Sequence, residues 1–408
     1  MTFGIKLEPT HENLVKLRNK EIVLDGIEDE VSKFLDPALQ NYNDTWDKIE
    51  KMHERILSDE FRFANPDSFG NGWIYNWFCM DHVGYEYNPR HRDMGYHNIY
   101  DRYLEILDKY GRYKDDVQFH FHPMSHYKEA NRAGKSYEHS KTLYQILSRR
   151  IIDREFFPAA FRAGCVTERP DANWFLEQWI PFDCSNFAVE DHNKEMHKDQ
   201  KNGQAGDWRR APHDWSVYHP DIYDYQVPGL CHRSIGRFLN IVSRYGNITE
   251  AEVEKAFKRA NDGIPTLLGM FNHDFRDMGK EAEYVQSILQ PIAKKYPDVK
   301  FKYSRVKDAF NAVLGQEEQP LELDIKLDGE NLEVHCTKGK VFGPQPYLAV
   351  KTKDGRYFHD NFDFGMDGNS WYYVFNENML RLNDVDTIGI AANNETGYTF
   401  VKTIKVNG

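Results

Sequence analysis

An α/β protein built on a parallel sheet, followed by a small all-β module, is the fold class this sequence predicts. Three observations carry that expectation. Between about residues 73 and 314, apolar segments of strand length alternate with segments of helical periodicity, the pattern of β–α–β units. Several strand segments end in a titratable side chain, and α/β proteins place their sites at the carboxyl ends of strands. After Gly315-Gln316-Glu317-Glu318-Gln319-Pro320 the period changes to two, with hairpin signals at Asp328-Gly329 and Asp354-Gly355.

At 408 residues the chain has room for one large and one smaller domain. The boundaries are set at 1–70 for a helical N-terminal extension, 71–315 for the α/β domain and 320–408 for the β module. A formal charge of −12 without basic clusters disfavours nucleic acid and anionic membranes as partners. No stretch approaches the ~20 apolar residues of a membrane span. The N-terminus lacks a basic segment followed by an apolar run, so a cytoplasmic protein is expected. Five cysteines, at 79, 165, 184, 231 and 336, are odd in number and widely spaced, which predicts reduced thiols rather than a disulfide framework. The 24 tyrosines and eight tryptophans suit a core and would equally suit sugar stacking. Oligomeric state is not legible.

In order, Ile49, Met52, Ile56 and Leu57 recur at helical spacing within a helical segment from Pro37 onward. Trp73 to Asp81 is an apolar strand ending in a carboxylate. A charged loop (Asn88 to Asp93) and a helix through Ile99, Tyr103, Leu104 and Leu107 lead to the next strand. There Val117, Phe119 and Phe121 alternate with Gln118, His120 and His122, a period of two. Pro123 suits the first position of a helix, which would carry His126 one turn further on the same side as His122. Three imidazoles would then converge at a strand end, a pattern that points to a metal site.

A helix through Leu143 to Ile152 follows, then a segment from Phe156 into Arg162-Ala163-Gly164. Next come a short helix with Asp171 as N-cap and a strand ending in Pro181-Phe182-Asp183-Cys184-Ser185. Arg162 and Asp183 close successive strands and could pair. Residues 188–215 lack periodicity and read as a rim or lid, continued by 216–230. Thr249-Glu250-Ala251-Glu252 is a capping box. Ile264 to Phe271 is a strand leading to His273, a general acid/base candidate. A helix through Val285 to Ile292, a strand at Val299–Tyr303 and a helix at Val306–Leu314 complete the domain.

Phe161-Arg162-Ala163-Gly164, followed by Pro181-Phe182-Asp183-Cys184-Ser185, resembles the third and fourth motifs of the NodB-type polysaccharide deacetylases. Asp81 resembles the metal-binding Asp of that family's first motif, His122 with His126 its His-x-x-x-His motif, and His273 the histidine of its last. The motifs stand in the family's order over about residues 73–314. The resemblance implies a distorted (β/α) barrel, here with a sandwich-like C-terminal domain, that hydrolyses an N- or O-acyl group on a carbohydrate. It implies a divalent ion, zinc above all, on Asp81, His122 and His126, with His120 able to replace either histidine. It also implies His273 as proton donor to the leaving amine, with Arg162 and Asp183 orienting the catalytic groups. The family's general-base Asp falls at Met80, and Glu86 is the nearest substitute. A sugar-binding relative without catalysis, and an amidohydrolase-type barrel using the His-x-His strand, are the alternatives.

Overall fold

The structure is a computed structural model that describes residues 5–8, 10–36, 43–86, 93–126, 128, 133–134, 136–138, 140–190, 206–242 and 246–406. Helices α1 (His11–Arg18), α2 (Glu28–Phe34), α3 (Trp46–Ile56) and α4 (Asp59–Arg62) open the chain. The expected start of a helix at Pro37 lies outside the described residues. Thr45 caps α3 by accepting from Lys48 N–H, and Ile49, Met52 and Ile56 turn one face of it into the core.

Strands β1 (Asn76–Met80), β2 (Asp116–Phe121), β3 (Ala160–Ala163), β4 (Phe182–Asn186), β5 (Ser234–Asn240) and β6 (Gly269–Phe271) form one parallel sheet in sequence order, a half-barrel. Between them run α5 (Asn98–Tyr110), α6 (Thr142–Arg154), α7 (Pro170–Trp179) and α8 (Glu250–Asn261), and then α9 (Met278–Lys295) and α10 (Val306–Leu314) follow β6. Parallel strands covered by helices bury both faces, and every residue of β3, β4 and β5 is buried. The strand expected at 299–303 does not form. Its backbone is taken by side chains instead: Tyr303 N–H donates to Asp67 (3.0 Å) and Phe301 N–H to Ser68 Oγ (3.1 Å), and among the described residues no strand ladders β6 back to β1.

The sequence pattern gives no period-two signal for strand β5. It carries Arg233 at its threshold and Arg237 inside it, both fully buried, which hides the apolar run of Ile235, Phe238 and Leu239. Helix α7 begins at Pro170 with Arg169 as N-cap, so Asp171 is not the cap. Its carboxylate accepts instead from Tyr137 N–H, Glu138 N–H (3.1 Å) and Ser136 Oγ (2.9 Å). The capping box does form: Thr249 Oγ accepts from Glu252 N–H at 3.3 Å. Much of the expected lid, 191–205, lies outside the described residues. In its described part, Trp208 is fully buried and donates to Val166 O at 2.8 Å, while Arg209, Arg210 and Asp214 are exposed. The continuation is likewise tied down, since Tyr218 pairs with Ile235 of β5.

The C-terminal module comprises β7 (Glu322–Asp328), β8 (Asn331–Lys338), β9 (Tyr347–Thr352), β10 (Tyr357–Asp360), β11 (Asp363–Phe364), β12 (Ser370–Val374), β13 (Val385–Asn393) and β14 (Thr399–Lys405). They make two antiparallel sheets, β10-β9-β13-β14 and β11-β12-β8-β7. Leu323, Val334 and Trp371 of one share an apolar cluster with Leu348, Val350 and Ile390 of the other. The opposite face of the first sheet lies on the half-barrel: Tyr347, Ala349 and Ala391 join the cluster of Leu143, Ile146, Leu147 and Trp179. The five cysteines are free thiols. Among the described residues no helix is long and apolar enough to cross a membrane.

Candidate functional site

Strand register decides which side chains meet. Met80 stands opposite His120, and His120 opposite Arg162, so these three share one face across β1, β2 and β3. Phe119 and Phe161, one residue out of phase, pack outward with Leu143 and Leu147 of α6. The Met80–His120–Arg162 face therefore looks into the half-barrel. It borders a cavity of about 850 Å³, also lined by His82, His122, Cys165 and His273.

The centre of the site is a pair of imidazoles. His120 Nδ1 lies 2.7 Å from Arg162 O, and a carbonyl only accepts, so Nδ1 carries the proton and Nε2 presents a lone pair. That Nε2 is 3.1 Å from His122 Nε2, with the rings perpendicular. Burial, reinforced by the nearby Arg162 charge, pushes His120 down to about 3, so it is neutral at pH 7. Two nitrogens on a tetrahedral zinc at ~2.05 Å each stand about 3.3 Å apart. The 3.1 Å spacing is that of a hydrogen bond from His122 Nε2–H to the His120 Nε2 lone pair, and it is also a spacing that two ligands of one ion adopt. Gly164 is required here, because a Cβ at that position would fall 2.3 Å from His122 ring atoms.

Arg162 reaches across the lumen from β3 until its guanidinium lies 3.6 Å from the Phe271 ring centroid on β6. Burial lowers it to about 10, still cationic at neutral pH. His273 follows β6 and lines the same cavity, edge-on to Phe271.

Other expected residues are not brought here. Asp81 follows Met80 and so points to the opposite side, where its Oδ1 accepts from Arg150 (2.8 Å) and His97 N–H (3.1 Å). Burial raises its carboxyl against the pull of Arg150. Asp183 stands opposite Phe161, also on the helix side, and pairs with the buried Arg233 rather than with Arg162. Arg233 is shared with Glu168 at 3.1 Å, and burial beside Asp183 holds the Glu168 carboxyl well above the usual range.

His126 is exposed and not on a helix, since no helix starts at Pro123. Backbone groups that a helix would use are taken there: Gly134 N–H donates to Pro123 O (2.6 Å) and Met124 N–H to Ser140 Oγ (3.0 Å). Glu86 forms a surface ion pair with Lys128 at 2.6 Å.

Sequence reasoning missed His82 and Cys165 as lining residues. His82 directly follows the strand that ends in Asp81, and Cys165 follows the Arg162-Ala163-Gly164 motif in left-handed backbone (φ 50°), which no local pattern signals. Among the described residues, no group of three or more His, Cys, Asp or Glu side chains is arranged to hold a metal ion. Comparison of the chain with family models, curated proteins and solved structures gives no match.

Proposed function

We propose that the cavity is the active site of a metal-dependent hydrolase of the polysaccharide-deacetylase type, which removes an acyl group from a carbohydrate. The observation that carries this reading is the 3.1 Å approach of His120 Nε2 and His122 Nε2 at the carboxyl end of β2. Metal-binding imidazoles characteristically donate their other N–H to a carbonyl or carboxylate, as His120 does to Arg162 O. Two imidazole nitrogens favour zinc over magnesium or calcium, which prefer oxygen. A divalent ion there would make water nucleophilic near neutral pH and polarise the acyl carbonyl. His120 and His122 would hold the ion, the Arg162 carbonyl fixes the His120 ring, and His273 would supply a proton to the leaving amine or alcohol from across the lumen. Asp183 acts from the helix side, by anchoring Arg233.

A second reading is a carbohydrate-binding relative without catalysis. It is favoured by Met80, which offers no base on the lumen face beside His120, while Asp81 is committed to Arg150. Elemental analysis of tag-free protein, together with a screen of acetylated sugars for acetate release, separates the two. About one equivalent of zinc or a similar ion, lost in His122→Ala, with acetate release lost in parallel, is the hydrolase outcome. No metal and no uptake on titration sinks it in favour of the binding reading.

A further inference from the structure

We infer that the cavity recognises an anion through Arg162, and that the sugar it takes is an acidic one presenting a carboxylate. Other buried arginines of this fold are each matched by a carboxylate: Arg62 by Asp115 (2.7 Å), Arg150 by Asp81 (2.8 Å), Arg233 by Asp183 and Glu168, Arg237 by Glu252 (2.6 Å) and Arg276 by Glu281 (2.5 Å). Arg162 is the exception. It is 7% exposed, its Nε has no hydrogen-bond partner, and among the described residues no carboxylate forms an ion pair with it. Burying an unpaired charge is unfavourable, and the Phe271 face compensates only a small part of that cost. The Arg162 guanidinium thus lines the cavity with no carboxylate bonded to it among the described residues.

A carboxylate matches that single charge and the planar fork of an arginine. In the metal-free cavity a phosphate monoester dianion would leave one charge unbalanced. That the ligand is a sugar rests on the hydrolase reading, whereas its anionic character does not.

The test is calorimetric titration of the full chain, stripped of metal with chelator, using D-glucuronate, D-glucose and inorganic phosphate. Wild type should bind glucuronate at least tenfold more tightly than glucose or phosphate. Arg162→Gln should lose at least tenfold in glucuronate affinity while melting no lower than wild type, because an unpaired buried charge has been removed. Arg162→Lys should fall between the two. No glucuronate binding by wild type, equal binding of glucose, tighter binding of phosphate, or an unchanged Arg162→Gln would each overturn the inference. Glucuronate binding without zinc or acetate release would sink the hydrolase reading and leave the anion pocket standing. Acetate release from neutral sugars alone would do the reverse.

Discussion

Met80 stands directly opposite His120 in the β1–β2 register, and this pairing sends Asp81 to the far side of the sheet. There Asp81 and Arg150 form an ion pair whose side chains are each 2% exposed. The carboxylate that ends β1 is thus structural in its contacts, while the imidazoles that end β2 face the lumen.

Asp81→Ala should therefore destabilise the protein without emptying the site. Removing one partner of a buried pair leaves Arg150 uncompensated, at a cost of about 3–5 kcal/mol. Urea denaturation should show this loss, while zinc uptake by the folded fraction stays at the wild-type level. Loss of zinc with stability unchanged would instead place Asp81 among the ligands.

Gly164→Ala touches no ligand yet should disable the pair. The new methyl would collide with the His122 ring, and relieving such overpacking costs about 1–3 kcal/mol. The expected result is a folded protein whose zinc affinity falls at least tenfold. Wild-type affinity would show that His122 does not hold the metal in the observed rotamer.

Arg233→Met should be among the most damaging single changes. It strands Asp183 and Glu168 together in the interior and removes the hydrogen bond to Asn173 Oδ1 (2.8 Å). A loss of about 3–5 kcal/mol is expected at pH 7, smaller at low pH where Glu168, whose carboxyl burial already raises, is fully protonated. Equal losses at both pH values would contradict this account.

His359 links stability to pH. It stacks on Tyr347 (4.1 Å between ring centroids) and donates from Nδ1 to Leu348 O, and burial depresses it from 6.5 to about 4. The unfolded chain takes up a proton as pH falls through 6.5, whereas the folded chain resists until about 4. Stability is full above 6.5 and falls toward pH 4, by at most about 1.4 kcal/mol per pH unit from this group. In His359→Gln the slope across that window should flatten. An unchanged slope would assign it to other groups.

Period-two alternation made β2 and its histidines legible, and the change of pattern after Pro320 made the β module legible. Other features depended on partners remote in sequence. Trp73 to Met80 is nearly all apolar, so nothing local separates lumen from helix side, and the orientation of Asp81 waits on register with β2. Strand β5 was obscured by Arg233 and Arg237, whose charges are balanced by Asp183, Glu168 and Glu252. Pro123 has the chemistry of a helix start, but returning residues 134 and 140 take the hydrogen bonds. Spacing groups the three histidines, and the tertiary path of the chain brings His120 rather than His126 beside His122.

Helix α6 is walled by the parallel sheet on one side and by β9, β10 and β13 on the other. From its surface Arg150 holds Asp81, Arg149 lies 3.9 Å from the Tyr357 ring centroid, and Asp153 accepts from Tyr357 Oη at 2.8 Å. Neither lobe owns this helix. Cutting the chain at 319 would strip one flank of α6 to water and leave the apolar surface that faces Tyr347 and Ala391 without cover. The β module is consequently not a detachable cassette. The two lobes should melt in one cooperative transition, and any change to the module's seat on α6 will be felt at the strand ends that shape the cavity.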